Sequence, residues 1–331
     1  MEHFFTYIDI ENFKSIKKLR IDGCKRINLF IGPPNVGKSN IIEALSIFSL
    51  PVIHRTIRDL IRYDNIPELY FNADVSNEIL VKSDHLSYKI DLDTNFDFII
   101  DYLFNDNSIA DITIKKDNKS ISYSRKKGYE DINIYKYAFS FSESKVDRSN
   151  FHTLSSPFGN NLFSVIRSHK QLVKDISRII ESQGLKLLFD TSSNSYRIIS
   201  EITNDSFFSI PYDAIADTLQ RYIFHLAAIK SNEKSILLFE EPEANCYPPY
   251  IRALTQDIVD SITNQFFIAT HSDIVVNHFL ENAFDETTIY MVDFKDGQTV
   301  VQSLTEQQKL DIVNDGIDIF FNRDYFLTSN N

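Results

Sequence analysis

The chain has 331 residues, enough for one large domain or two ordinary ones. Apolar residues make up 43%, with 27 Phe and 16 Tyr, so an extensive core is expected, and a net charge of −12 argues against the uniformly basic surface of a dedicated nucleic-acid binder. Two distant cysteines, Cys24 and Cys246, speak against a disulfide framework or a cysteine-held metal, and no run reaches the roughly 18 apolar residues of a membrane helix.

The N-terminus, MEHFFTYIDIENF, has acids and alternation rather than a basic cap before an apolar run, so a signal peptide is not expected and a cytoplasmic protein is. Phe4 to Ile10 reads as a strand whose buried face carries Phe4, Thr6, Ile8 and Ile10, and Asn12 to Asp22 as a second strand after a turn. The short apolar run Ile27 to Ile31 has the character of a central strand covered on both faces. A glycine loop follows, then a helical pattern from Ser39 to about Ser49, ended by Pro51. From Tyr70 to Tyr137, alternating stretches separated by Asp, Asn, Ser and Gly turns predict antiparallel strands. Leu162 to Glu181 reads as one helix with Gly184 beyond its end, followed by a strand pair, LKLLF and SYRIIS. A helix from Ala214 to Lys230, a strand at Ile236 to Phe239, a helix at Pro249 to Ile262, a strand at Gln265 to Ala269 and a largely helical tail from Thr305 to Phe326 complete the chain.

The loop Gly32-Pro33-Pro34-Asn35-Val36-Gly37-Lys38-Ser39 matches G-x-x-x-x-G-K-[ST], between a buried strand and a helix as that pattern requires. Backbone N–H groups of Val36 to Asn40 can point at phosphate oxygens, and the helix N-terminus adds its dipole. Lys38 is placed to reach the β- and γ-phosphates, and the Ser39 hydroxyl to ligate Mg²⁺. The nucleotide-binding set is therefore Gly32, Pro33, Asn35, Val36, Gly37, Lys38, Ser39 and Asn40, with Mg²⁺-ATP as the expected ligand. A phosphate loop calls for an apolar strand ending in acids, which SILLFEEPEA supplies: Glu240 to hold the Mg²⁺ water shell, Glu241 to position or activate the attacking water. In NQFFIATHSD a third strand ends at Thr270-His271-Ser272, where a histidine can hydrogen-bond the γ-phosphate or the water.

The order phosphate loop, acid pair, histidine resembles the ATP-binding-cassette fold of SMC, RecF and OLD-type ATPases, and in particular the bacterial AAA-type ATPases of abortive-infection and toxin systems. The resemblance rests on IENFKSIKKLRI, INLFIGPPNVGKSNIIEAL, IADTLQRYIFHLAAI, LLFEEPEANCYPPY and FFIATHSD. It implies an α/β P-loop NTPase fold: a cassette with a mixed β core, an antiparallel β lobe and a helical insertion. Residues 1–140 would hold the phosphate loop and β lobe, 141–210 the insertion, and 211–331 the signature, acid and histidine strands. It further implies that Glu241 is the catalytic glutamate, that His271 is the switch histidine, and that ADTLQR is the signature motif, which closes over a second subunit's nucleotide in a head-to-tail homodimer. Ala216 there replaces a serine, Asp217 and Thr218 replace glycines, and Arg221 stands where it can act in trans or pair with a neighbouring acid. Glu240 stands where many relatives have Asp, and Asp273 where Pro is frequent. Gln171 is a poor match to the Q-loop glutamine, and Lys14 and Ser15 of NFKSI occupy a turn that can approach the nucleotide.

The locally basic stretch Lys115, Lys116, Lys119, Arg125, Lys126 and Lys127, with Tyr123 and Tyr129, suits either a phosphate backbone or a protected sheet edge. Only 60 residues follow His271, and MVDFKDG lacks a following acidic set, so a nuclease is not expected there. Three functions remain open: an ATPase switch that holds or releases an effector protein, a RecF-like DNA repair ATPase, or an ATP-binding scaffold.

Overall fold

A computed structural model describes residues 4–53, 55–115, 121–126, 132–140, 152–192, 195–203 and 206–328. In chain order, β1 (Tyr7–Phe13), β2 (Ile16–Asp22) and β3 (Ile27–Ile31) precede α1 (Lys38–Ser46) and α2 (Leu50–Ile53). Next come β4 (Ile79–Lys82), β5 (Leu86–Leu92), β6 (Phe98–Phe104), β7 (Asn107–Ile114), β8 (Ile121–Arg125) and β9 (Ile134–Tyr137). They are followed by α3 (Leu162–Ser168), α4 (Lys170–Glu181), β10 (Lys186–Asp190), β11 (Ser195–Thr203), β12 (Ser206–Pro211) and α5 (Asp217–Ser231). The last elements are β13 (Ile236–Glu240), α6 (Pro248–Asp260), β14 (Gln265–Ala269), α7 (Asp273–Asn282), β15 (Thr287–Lys295), β16 (Gln298–Ser303), α8 (Glu306–Asp315) and α9 (Arg323–Thr328).

The chain gathers into two compact units: residues 1–136, 234–241 and 263–331, and residues 137–233 and 242–262. The larger unit holds a six-stranded sheet in the order β16-β15-β3-β14-β13-β9 and a seven-stranded antiparallel sheet in the order β2-β1-β4-β5-β6-β7-β8. In the first, β3 pairs in parallel with β14 and β15, and β14 with β13. All five residues of β3 are buried, as are all five of β14, which is why these strands read as short, mainly apolar runs. Buried side chains of this kind contribute about 1.5–3 kcal/mol each, and Phe30 illustrates the packing, stacked on Phe267 at 6.3 Å and on Tyr290 at 5.4 Å. The one polar residue of β3, Asn28, is fully buried and satisfied: its amide nitrogen donates to the carbonyls of Lys25 and Phe266, and its oxygen accepts from the Lys25 N–H.

The seven-stranded sheet packs its inner face on α1 and the turns after it, and the Tyr88 and Tyr102 hydroxyls donate to the carbonyls of Ala44 and Ile47. The smaller unit carries α3 to α6 and the antiparallel sheet β10-β11-β12. Among the described residues no helix is long and apolar enough to cross a membrane.

Several local expectations need correction. Phe5 is buried and Thr6 exposed, because Thr6 turns its hydroxyl and N–H to the Asp84 carboxylate before β1 begins. Pro51 does not end the first helix: a 3-10 turn at Ile47–Ser49 leads into α2, whose first turn needs no N–H from proline. The helix read over Leu162 to Glu181 breaks at His169, which has extended backbone angles. Strand β12 and the hairpin β15–β16 were not expected. The hairpin turns on Asp296 and Gly297 at φ +51° and +77°.

Candidate active site

Parallel register brings three strand ends to one level. Glu240 pairs with Ala269, and Ala269 with Phe30, so the loop after β3, the acids after β13 and Thr270-His271 after β14 emerge side by side. Strand β14 lies between the other two. They border a cleft of about 410 Å³ whose walls include Asn35, Gly37, Lys38, Ser39 and Asn40 from the loop and α1, and Glu240, Glu241 and His271 from the strands.

The loop's shape is set by its glycines. Gly32 has φ +152° and Gly37 φ +104°; a Cβ on Gly32 would stand 2.2 Å from the Val292 carbonyl oxygen, and one on Gly37 2.1 Å from Thr299 Oγ1. Asn35 also takes a positive φ, +63°. Gly32 and Val36 lie on the buried side of the loop, with Pro33 half-buried. The Lys38 ammonium donates to the carbonyls of Gly32 (2.8 Å) and Pro33 (2.7 Å). Burial pushes its pKa down to about 8, with the Glu241 charge opposing the shift. A buried cation held by neutral carbonyls is a site that favours an anion, which the phosphates of a nucleotide provide.

Glu241 sits at φ +44°, a strained conformation for a side-chain-bearing residue, with its N–H bound to the Ala269 carbonyl at 2.8 Å. Its Oε1 stands 3.6 Å from His271 Nε2, too far for a direct hydrogen bond. Burial and the Lys38 charge lower the His271 pKa, so the imidazole is neutral at pH 7.

Glu240 is held by two cations: Lys136 Nζ at 2.6 Å and the Arg62 guanidinium at 2.9 Å. Arg62 also binds Glu43 at 2.9 Å, and Glu43 in turn holds the Lys14 ammonium, which donates further to the Arg62 carbonyl at 2.7 Å. Lys14, Glu43 and Arg62 all line the cleft. Burial lowers the Lys14 pKa, while Glu43 supports its charged form. Of this alternating chain of charges, only Lys14 and Glu240 were candidates from sequence. Glu43, on α1 and buried, was signalled only as a lone acid inside the apolar run IIEALSIF; Arg62 and Lys136 lie far from any motif.

The donor set fits magnesium. Ser39 and Glu241 offer oxygens to one cleft, beside Glu240 whose two oxygens are paired with Lys136 and Arg62, and Mg²⁺ takes few protein ligands, completing its shell with water and phosphate oxygens. Among the described residues no group of three or more His, Cys, Asp or Glu forms a metal cage of its own.

The other sequence candidates lie elsewhere. Ala216 precedes α5 as its N-cap residue, and Asp217, Thr218 and Arg221 occupy the first turns, all in the smaller unit. Asp217 accepts from Arg221 Nε through both oxygens at 3.0 Å, the guanidinium lies 4.7 Å from the Phe139 ring, and Thr218 Oγ1 accepts from the Tyr247 N–H at 2.7 Å. Gln171 is an exposed residue of α4 bonded to Asp175. In the basic stretch, Lys115 pairs with Asp97, Lys126 with Asp111, and Arg125 lies over Tyr123, on and beside the edge strand β8. Lys116, Lys119, Lys127 and Tyr129 fall outside the described residues.

With this geometry in place, comparison with known proteins gives a consistent picture. The model of a family described as "AAA domain, putative AbiEii toxin, Type IV TA system" matches residues 27–277. An "ATP/GTP phosphatase" of Helicobacter pylori is 22% identical over 325 residues, covering 80% of this chain and 84% of that one. The "DNA replication and repair protein RecF" of Lactobacillus acidophilus is 38% identical over 63 residues, only 18% of this chain and 17% of that protein. Among solved structures, an SMC head bound to the C-terminal winged-helix domain of ScpA is similar at a TM-score of 0.53 and 17% identity, covering 91% of this chain and 98% of that one. A Pyrococcus furiosus Smc head with an extended coiled coil, bound to the C-terminal domain of ScpA, gives 0.52 at 14% identity, over 93% and 98%. The fold is that of an ABC-type P-loop ATPase head.

Proposed function

The chain belongs to the AAA-domain family of the AbiEii type, and from that premise we propose that it binds Mg²⁺-ATP in the cleft described above and hydrolyses it. The observation that carries this reading is the convergence of Lys38, Glu241 and His271, from three strand ends, on one cleft beside a glycine-hinged loop.

N–H groups of Val36 to Asn40 and the Lys38 ammonium would cradle the phosphates. Ser39 would hold Mg²⁺ directly and Glu240 through water, and the ion would supply charge neutralisation at the phosphate oxygens. Glu241 would orient the attacking water and accept its proton, and His271, neutral at pH 7, would hold that water or the γ-phosphate by a hydrogen bond. The H. pylori phosphatase supports turnover.

This reading takes the 331 residues as one cytoplasmic cassette that works as a homodimer, with Ala216, Asp217, Thr218 and Arg221 of one copy facing the nucleotide of the other. ATP would then close the dimer and hydrolysis reopen it, holding or releasing an effector protein in a phage-defence or toxin system. The family description and the ScpA-bound SMC heads support a partner of this kind. The RecF stretch of 63 residues favours a second reading, DNA repair.

The test compares ATP hydrolysis by wild-type and Glu241→Gln protein, with and without duplex DNA, and sizes each with ATP by light scattering. Turnover lost in the mutant, with an ATP-dependent dimer and no DNA effect, supports the switch. DNA-stimulated turnover favours the RecF-like reading. ATP binding without turnover in the wild type leaves an assembly scaffold, and absence of ATP binding overturns the proposal.

A further inference from the structure

Behind the phosphate loop lies a short relay of hydrogen bonds that no motif contains. Thr299, on β16 and 1% exposed, places its hydroxyl 2.8 Å from the Val36 carbonyl. The same hydroxyl is 2.6 Å from Ser15 Oγ, and Asn40 Nδ2 donates to Ser15 Oγ at 2.6 Å. The Thr299 N–H donates to the Ser15 carbonyl at 2.8 Å, which fixes the hairpin against the β1–β2 turn.

The direction of this relay follows from valence. A carbonyl oxygen only accepts, so Thr299 must donate to Val36. Its single proton is then committed, so Ser15 must donate to Thr299, and Ser15 in turn accepts from the Asn40 amide nitrogen. The relay runs one way, Asn40 to Ser15 to Thr299 to Val36, and ends on the peptide that joins Val36 to Gly37.

That peptide is planar and trans, so its C=O and N–H point in opposite directions. With the Val36 carbonyl turned back to Thr299, the Gly37 N–H faces the other way, and Gly37 itself lines the cleft. Gly37 is the residue least able to hold this orientation alone, since glycine accepts many backbone angles at little cost. We propose that Thr299 is the positioning residue of the phosphate loop: its hydroxyl fixes the Val36–Gly37 peptide so that the Gly37 N–H is presented to a nucleotide phosphate. This rests on the reading of the cleft as an ATP site.

The experiment measures Mg²⁺-ATP affinity by calorimetry and steady-state kinetics for the full chain and for Thr299→Val, which keeps the shape and removes the hydroxyl, and Thr299→Ser, which keeps the hydroxyl. Expected are a roughly tenfold weaker Kd and a correspondingly raised KM for Thr299→Val, with kcat changed far less, and recovery to within about threefold for Thr299→Ser. A packing role alone would predict the opposite order, with serine the worse substitute. Wild-type affinity in Thr299→Val overturns the role of Thr299. Should that variant not fold, Thr299→Ala removes the same hydroxyl, and its affinity decides in the same way. Absence of ATP binding by the wild type is a separate outcome, since it overturns the ATP site itself.

Discussion

Lys38 and Arg221 are both cations singled out by motif, and their surroundings differ. Lys38, in the larger unit, is buried and held by two neutral carbonyls, so its charge is poorly compensated and its pKa falls to about 8. Arg221, in the smaller unit, meets both oxygens of Asp217 at 3.0 Å and the face of Phe139 at 4.7 Å. One cation is built to receive an anion from outside the chain. The other has its anion four residues away on the same helix. The hydroxyls differ too: Ser39 lines the cleft, whereas Thr218 accepts from the Tyr247 N–H.

The contrast can be broken most sharply at Lys38. Lys38→Ala should lower ATP affinity by at least about 100-fold, as expected from removing a charged hydrogen-bond donor in a buried site, measured by calorimetry. Retained micromolar binding would mean that the loop backbone suffices. Glu241→Gln should leave ATP affinity within about threefold of wild type and slow turnover about 10²–10⁴-fold, the range for loss of a general base. A mutant that hydrolyses ATP at the wild-type rate would falsify that role.

Glu43→Leu should destabilise the chain by about 3 kcal/mol in urea unfolding, because it strands the Lys14 charge in a mostly buried place. A loss below about 1 kcal/mol would show that water reaches Lys14.

The pH dependence is a subtler effect. Between about pH 8 and the ordinary lysine value, the unfolded chain keeps the Lys38 proton and the folded chain releases it, so this group adds stability as pH rises through that window. ATP needs the charged form, so its Kd should begin to weaken above pH 8, by up to about tenfold per pH unit. Affinity flat to pH 10 would put Lys38 at an ordinary pKa. The smallest expected effect is Arg221→Ala, about 0.5 kcal/mol from loss of an i,i+4 pair. An unchanged melting temperature with a tenfold fall in kcat would instead give Arg221 a role on another copy's nucleotide.

These regions were also unequally legible in sequence. The phosphate loop, Glu240-Glu241 and His271 could be read because each lies at the end of a short, mainly apolar strand, and a parallel sheet places such ends together. Glu43, Arg62 and Lys136 could not, since helical periodicity places Glu43 on a face but not beside residues 29 and 19 positions away. The hairpin β15–β16 carried a signal that went unread, since an Asp-Gly pair between alternating runs marks such a turn. MVDFKDG was weighed only as a stretch lacking the acidic set of a nuclease, which hid a turn whose strands back the phosphate loop. The break at His169 had no such signal, because the apolar spacing continues across it.

The Thr299–Val36 bond spans 263 residues. Much of the wall against which the loop is shaped, Val292 and Thr299, comes from the hairpin β15–β16. During synthesis the glycine loop leaves the ribosome more than 250 residues before its back wall exists. Competence to take nucleotide thus waits on a segment far along the chain, and a product truncated before residue 292 would carry an intact motif without Val292 and Thr299 behind it.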